Sequence, residues 1–452
     1  MSRTRNQPPN VFYVFADQWR ADALGYAGDP NVRTPCLDAL ADRSINFTHA
    51  VAGCPVCAPA RASLLTGQYP DTHGVFLNDV CLTTTATTLP RAFASAGYDT
   101  AYIGKWHLDG HGRSSYIPPV RRQGFDFFKV LECTHQYNQS HYYAGNDDTK
   151  LTWEGYDAIA QTRAAAEYLR SRDGSKPFFL ALSWGPPHNP YHTAPPRFTA
   201  LYRPEDLRMR PNVPPEHEAK ARVDLAGYYA HISALDSCVG DLLNTLRESG
   251  LLENTLFIFT SDHGDMVGSQ GLWDKQCPWD ESIRVPLLVS HPARFGTERR
   301  RVGAPINTPD IMPTLLDLCG LQIPGTVQGK SFAPVVKGAE APTDEAALIA
   351  CYAPFATWNR KLGGREYRGL RTPRYTYARA LDGPWLLYDN AQDPFQLRNL
   401  CHEPEHAALQ TDLDGRLDRM LEEAGDEFLP ADAYIQRWGY TVDENGAVPI
   451  TQ

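Results

Sequence analysis

Runs of β-branched and aromatic residues recur along the first two-thirds of the chain, and each leads into a polar cluster. "NVFYVFADQ" ends in Asp17-Gln18, "DTAYIGKWH" carries Lys105 and His107, "KPFFLALSWGPPH" ends at His188, and "NTLFIFTSDHGD" carries Asp262-His263. Apolar runs of this length predict buried strands. A fifth run, "RVPLLVS" at 284–290, follows a loop that contains Lys275. Between the runs, apolar residues fall at helical spacing in "LPRAFASAGY" at 89–98 and in "YYAHISALDSCVGDLLNTLRESG" at 228–250, with a stop at Gly250. Strands alternating with helices predict an α/β fold, a large, mostly parallel sheet flanked by helices. Ligands of such sheets sit at the carboxyl ends of the strands, which is where the polar clusters fall.

After about residue 335 the pattern changes. "YRGLRTPRYTYARA" and "PWLLYDNAQDPFQLRNL" read as short antiparallel strands with turns, followed by a helix over roughly 403–424. A chain of 452 residues exceeds one ordinary core. The expected division is a catalytic α/β domain over 1–335 and a smaller α+β subdomain with an antiparallel sheet over 336–452.

Composition narrows the class. Hydrophobic residues at 42% and charged residues at 21% describe an ordinary globular chain. A net charge of -10 argues against a nucleic-acid partner but permits a locally basic site for a small anion. No apolar stretch reaches the length of a membrane span, so no membrane partner is expected. The basic start "MSRTRNQPP" lacks the apolar run of a secretory leader, and the ten cysteines are scattered. Both point to the cytoplasm. Nothing in the pattern specifies an oligomeric state.

The stretch "AGCPVCAPARASLLTG" at 52–67 is the densest in chemistry. Pro59 suits the first turn of a helix and Gly67 its C-terminal cap. Cys57 then lies at the helix N-terminus, where free N–H groups favour an anion, and Arg61 one turn on can share its face. Three readings stand on spacing: a metal held by Cys54-x-x-Cys57, a redox dithiol, or Cys57 alone as a catalytic position with Arg61 meeting an anion.

The sequence resembles the type I sulfatases of the alkaline phosphatase superfamily. Their signature, C-x-P-S-R followed by A-S-x-L-T-G, appears here as Cys57-Ala58-Pro59-Ala60-Arg61 and "ASLLTG". The likeness extends through "FADQWRADALGY", "YIGKWHL" and "TSDHGD" to "LYDNAQDPFQLRNL", nearly the whole chain. It implies an alkaline phosphatase-like fold and hydrolysis of a sulfate monoester, of a sulfated carbohydrate or a small alkyl or aryl sulfate. In that family a maturation enzyme oxidises the motif cysteine to formylglycine; cysteine, proline and arginine of its recognition core are present, and Ala60 replaces the usual serine. The resemblance places a divalent metal, usually calcium, on Asp17, Gln18, Cys57, Asp262 and His263. Gln18 stands where the family often has a second Asp, and His263 where members carry Asn or His, which makes magnesium or manganese alternatives.

The remaining roles also follow from the resemblance. Formylglycine hydrate at Cys57 offers two hydroxyls: one attacks sulfur, and the other loses its proton to His107 so that the C–O bond breaks and sulfate leaves. Arg61 holds the hydrate and metal-site anions, Lys105 and Lys275 bind sulfate oxygens, and His188 or Lys275 protonates the leaving oxygen. Asp109, His111, His73, Asn78, His135 and Trp358 are further candidates to face substrate. Two other readings remain: a phosphonate monoester or phosphodiester hydrolase of the same superfamily, favoured by Gln18, and a non-catalytic sulfate or glycan binder with an unmodified Cys57.

Overall fold

Ten strands form the main sheet of the computed structural model, which describes residues 7–450. Their spatial order is Arg300–Val302, Ile45–Phe47, Leu287–Ser290, Thr255–Ser261, Asn10–Asp17, Phe178–Pro187, Asp99–Lys105, Phe127–Leu131, His141–Ala144 and Asp147–Thr152. The five strands from Thr255–Ser261 to Phe127–Leu131 run parallel. The two after them and Leu287–Ser290 pair antiparallel. The basic start at residues 1–6, weighed above against a leader, lies outside the described residues.

Asn10–Asp17 occupies the middle of this sheet, and all eight of its residues are buried. Its side chains alternate between two cores, as the pleat requires. Val11, Tyr13 and Phe15 pack on one face with Ala58, Ala62 and Leu65 of the helix Cys57–Thr66 and with Leu315. Phe12, Val14 and Ala16 pack on the other with Ala165, Leu169 and the long helix Glu218–Glu248. A strand covered on both faces reads as a continuous apolar run rather than an alternating one.

Several boundaries differ from the sequence reading. The run at 284–290 is not one strand of the parallel array. Arg284–Val285 joins Ala50–Val51 and Ile306–Asn307 in a separate small sheet, and Leu287–Ser290 runs antiparallel in the main one. Pro286 lies at this break, a residue with no N–H to give a ladder. The helix expected over 228–250 starts earlier, at Glu218, and the one expected from 403 starts at Ala407. The polar first turns after Glu218 hide that start from an apolar count, and a separate 3-10 turn over Pro404–His406 precedes Ala407.

The later part of the chain carries a four-stranded antiparallel sheet, in the order Ala347–Cys351, Tyr367–Arg371, Tyr375–Ala380, Gly383–Asp389. Leu413, Leu417 and Leu421, one helical turn apart on Ala407–Ala424, cover its Leu370, Tyr377 and Leu387. Residues of this part also enter the main core, for Ala350, Tyr352, Phe355 and Tyr434 pack in the same cluster as Phe15 and Ala62. Among the described residues no helix is long and apolar enough to cross a membrane.

Gly104, next to Lys105, shows how tightly the strand ends are set. It has φ +105°, and a Cβ there would overlap the Ser183 carbonyl oxygen of the adjacent strand. Gly104→Ala is therefore expected to cost roughly 2 kcal/mol or more. A denaturation midpoint shifted downward at an unchanged slope would show it, and an unshifted midpoint would refute the clash.

Candidate active site

Cys57 is the first residue of the helix Cys57–Thr66, after an extended Val56, and all ten residues of that helix are buried. Gly67 ends it in the left-handed conformation, φ 65°, with its N–H donated to the Ser63 carbonyl. No preceding side chain caps the start; instead the Ala58 N–H donates to Asn78 Oδ1 at 3.0 Å. The helix thus presents its positive end to the strand ends, with the Cys57 side chain leading.

Asp17 and Asp262 lie at the ends of adjacent strands, and Arg61 joins them. Its Nε and Nη2 donate to Asp262 Oδ2 at 3.1 and 2.9 Å, and Nη2 also reaches Asp17 Oδ2 at 3.3 Å. Nη1 donates to the Lys105 carbonyl at 2.7 Å and to Ser183 Oγ at 2.8 Å. Arg61 is therefore committed to protein partners beneath the site rather than open to a ligand. Lys105 Nζ binds Asp17 Oδ2 at 2.5 Å, which leaves Asp17 Oδ1 facing Cys57 Sγ at 3.6 Å and His263 Nε2 at 3.5 Å. His263 Nε2 lies 3.2 Å from Cys57 Sγ, and its Nδ1 lies 2.9 Å from the Gly264 carbonyl. A carbonyl can only accept, so Nδ1 carries a proton and Nε2 turns its lone pair to the cluster, where a proton, favoured by Asp262 and Cys57, or a cation can take it.

The charges set one another. Burial and Asp17 push the Cys57 thiol up, but Lys105, Lys275 and His263 outweigh them and hold it well below its usual range. Burial opposes ionisation of Asp17, yet Lys105 and Arg61 keep it strongly acidic. Burial and the neighbouring Asp17 carboxylate raise Asp262. Two buried carboxylates this close repel unless a cation stands between them.

On the cavity side, Lys275 Nζ sits 2.7 Å from His188 Nε2 and 2.7 Å from Gln18 Oε1. Burial and Lys275 keep His188 neutral, well below its usual range, and His188 Nδ1 lies 2.9 Å from the Asn189 carbonyl. His135 stacks on His188, ring centres 4.5 Å apart. His107 Nε2 approaches Asp79 Oδ1 at 3.4 Å. Burial opposes its charge, but Cys133, Asp79 and Cys57 raise it to about 10. Gln18, His107, Asp274 and Gln276 all have positive φ, between 57° and 76°. Non-glycine residues in that region concentrate where surrounding structure enforces a functional geometry.

Cys57, Lys105, His107, His188 and Lys275 line one cavity of about 250 Å³, and so do Asn78 and His135. Lys105 and His107 both face it although the strand stops at Lys105 and the chain kinks before His107. Other candidates are spent elsewhere. Asp109 is fully buried against Arg121, at 2.6 and 3.1 Å. His73 is 3.0 Å from Ser63 Oγ and accepts from Val75 N–H. His111 lies half-exposed with Nδ1 on the Asp109 carbonyl. Trp358 is buried and donates to the Arg365 carbonyl at 3.3 Å. Gln18 does not turn its amide to the Cys57 cluster, because Nε2 donates to Asp265 at 2.8 Å while Oε1 accepts from Lys275. Cys54 packs in the apolar core, where burial raises its thiol to about 12. The sequence reading missed Asp79, Arg113, Cys133, Asn189, Asp274, Ala447, Val448 and Ile450, all of which line the cavity. Only the density of polar residues around "LND" and "HNP" hinted at the first and fourth.

The description "Sulfatase" belongs to a family model that matches residues 9–321. The chain belongs to the sulfatase family. A second model, "N-sulphoglucosamine sulphohydrolase, C-terminal", matches residues 268–423 of this sulfatase. An ulvan-active sulfatase of Formosa agariphila is 46% identical over 440 residues, covering 97% of this chain and 86% of that one. An endo-4-O-sulfatase of Bacteroides thetaiotaomicron is 31% identical over 490 residues, covering 92% of each. The crystal structure of a sulfatase from Bacteroides fragilis superposes with a TM-score of 0.85 at 31% identity, covering 95% of this chain and 98% of that one.

Ligand atoms of Asp17, Cys57, Asp262 and His263 lie within 4.8 Å of one another, all buried. Two carboxylates and an imidazole with its lone pair turned inward fit a divalent cation, which would also relieve the Asp17–Asp262 repulsion. Asp17→Asn and Asp262→Asn are each expected to weaken retention of the divalent ion at least ~10-fold. Metal content after dialysis measures this; variants that keep the wild-type ion content would refute the assignment.

Proposed function

We propose that this sulfatase hydrolyses a sulfate monoester of a carbohydrate, with Cys57 matured to formylglycine by a dedicated oxidising enzyme. The observation that carries the reading is the convergence on one cavity of the Cys57 helix start, two lysines and three histidines. The names of the relatives, an ulvan-active sulfatase and an endo-4-O-sulfatase, support a saccharide substrate.

A sulfate ester resists attack because its oxygens carry charge, so the site must offset that charge and protonate the departing alcohol. A divalent ion held by Asp17, Asp262, His263 and the Cys57 position would supply Lewis acidity. Calcium is our first assignment; the imidazole donor makes magnesium and manganese the alternatives that metal analysis separates. Lys105 and Lys275 bring ammonium groups to the same cavity, where sulfate oxygens are to be held. Arg61, by fixing both carboxylates, keeps the charge balance and geometry intact. Lys275 Nζ and His188 Nε2 hold a proton between them at 2.7 Å, placed for the leaving oxygen.

Formylglycine explains why a thiol sits here. Oxidation replaces the CH2–SH of Cys57 by CHO, losing H2S and gaining O, and hydration gives two hydroxyls on one carbon. After one has attacked sulfur, His107 takes the proton of the other, the C–O bond breaks, sulfate departs and the aldehyde returns. Neither His107 nitrogen is tied up in a hydrogen bond among the described residues, Nε2 standing 3.4 Å from Asp79 Oδ1, and the ring takes this proton only in its neutral form. Serine at 57 lacks the second hydroxyl and traps the sulfated enzyme. Cys57→Ser is thus expected to lose turnover by roughly 10³-fold or more.

The test is a comparison of an aryl sulfate, an aryl phosphonate monoester, a phosphodiester and a panel of defined sulfated sugars. It is made on protein whose Cys57 peptide shows the mass of formylglycine. Sulfate esters are expected to be the preferred substrates. A preference for either phosphorus ester would replace this reading by the phosphonate or phosphodiester hydrolase. An unmodified thiol from a host with active maturation would favour the glycan binder.

A further inference from the structure

Three indoles gather beside the catalytic cavity without belonging to it. Trp385 lies with its ring centre 5.9 Å from Trp279 and 6.4 Å from Trp358, and Trp279 lies 6.2 Å from Trp358. Trp358 is buried and forms the base, whereas Trp279 and Trp385 are partly exposed at the edge of the apolar cluster. The Trp279 N–H is satisfied by Tyr388 Oη at 3.3 Å. Arg365 stacks its guanidinium over Trp385, 4.7 Å from the ring centre.

Two further facts distinguish this patch from the frayed edge of a core. The first is charge. From Trp358 to Glu366 the sequence carries Arg360, Lys361 and Arg365 against one acid, in a chain of net charge -10. Arg360 pairs with Glu366 and Asp432, and Lys361 with Glu444. Arg365 makes no ion pair among the described residues, and its stacking leaves the guanidinium edge free for an anion. The second is position. Thr357, the residue before Trp358, lines the catalytic cavity, and so does Gln276, three residues before Trp279. Three residues of chain span at most about 11 Å, so the backbone of the patch lies within that distance of the cavity lining.

We propose that Trp279, Trp385 and Arg365 form an accessory subsite for an anionic saccharide chain that extends beyond the unit held in the catalytic cavity. The proposal rests on the carbohydrate reading above. Indole faces cover the C–H faces of sugar rings, and tryptophan and arginine are the residues that concentrate binding energy at partly desolvated surfaces. The Arg365 guanidinium offers paired N–H donors to a sulfate or carboxylate of the neighbouring unit. The occupant is therefore a sulfated polymer, and its affinity falls with salt.

The test separates this subsite from the catalytic reading. Wild type, Trp385→Ala and Arg365→Ala are run through gels containing dextran sulfate or unsulfated dextran, and the same preparations are assayed on an aryl sulfate. Retardation by dextran sulfate is expected to weaken about 10-fold in each variant, with aryl sulfate turnover within about 2-fold of wild type. Trp385→Phe, which keeps an aromatic face, is expected to restore most of the retention. Equal retention of wild type and variants would overturn the proposal, as would equal retention in unsulfated dextran or a parallel fall in turnover. Failure of wild type to turn over any sulfate ester would sink the catalytic reading alone, because gel retention still reports on the patch.

Discussion

One buried guanidinium organises this molecule. Arg61 reaches from the helix that begins at Cys57 to carboxylates on the ends of two neighbouring strands, and to a carbonyl and a hydroxyl on two more. Its side chain is almost fully buried, as are those of Asp17 and Asp262. Charges removed from water at this scale cost several kcal/mol each unless every one is paired. The arrangement is therefore tolerable only when helix, strands and side chains are all in register. Cys57 inherits its position from that requirement, since it leads the helix that Arg61 anchors.

Much of this was legible along the chain, for a physical reason. A strand covered on both faces is continuously apolar, so its end is marked by the first polar residue, and in a parallel sheet that end is where ligands gather. Asp17, Lys105, His188 and Asp262 all stand at such ends. The start of the Cys57 helix was legible from Pro59 and its end from Gly67, which the structure shows in the left-handed conformation.

What escaped the sequence has physical causes too. Asp79, Arg113 and Asp274 sit in segments without periodicity, and only the tertiary fold brings them to the cavity. Asp109 looked equivalent to them, yet Arg121 neutralises it within the same loop region. A carboxylate in a loop reads the same whether it faces a substrate or an arginine a few residues away. Gln18 illustrates a finer limit. Its backbone is where the strand pattern puts it, but its amide is shared between Lys275 and Asp265. The antiparallel direction of Leu287–Ser290, inside the sheet between two neighbours, was not legible because an apolar run carries no sign of which way its neighbour runs.

The depth of the Cys57 helix also imposes an order in time. Cys57 is 1% exposed, its helix is wholly enclosed, and part of the wall above it is supplied by Ala447, Val448 and Ile450 from far along the chain. No second protein can grip that segment once the fold has closed around it. An enzyme that oxidised this thiol would have to work on the nascent or still-open polypeptide, and the speed of folding would then compete directly with the yield of oxidised product.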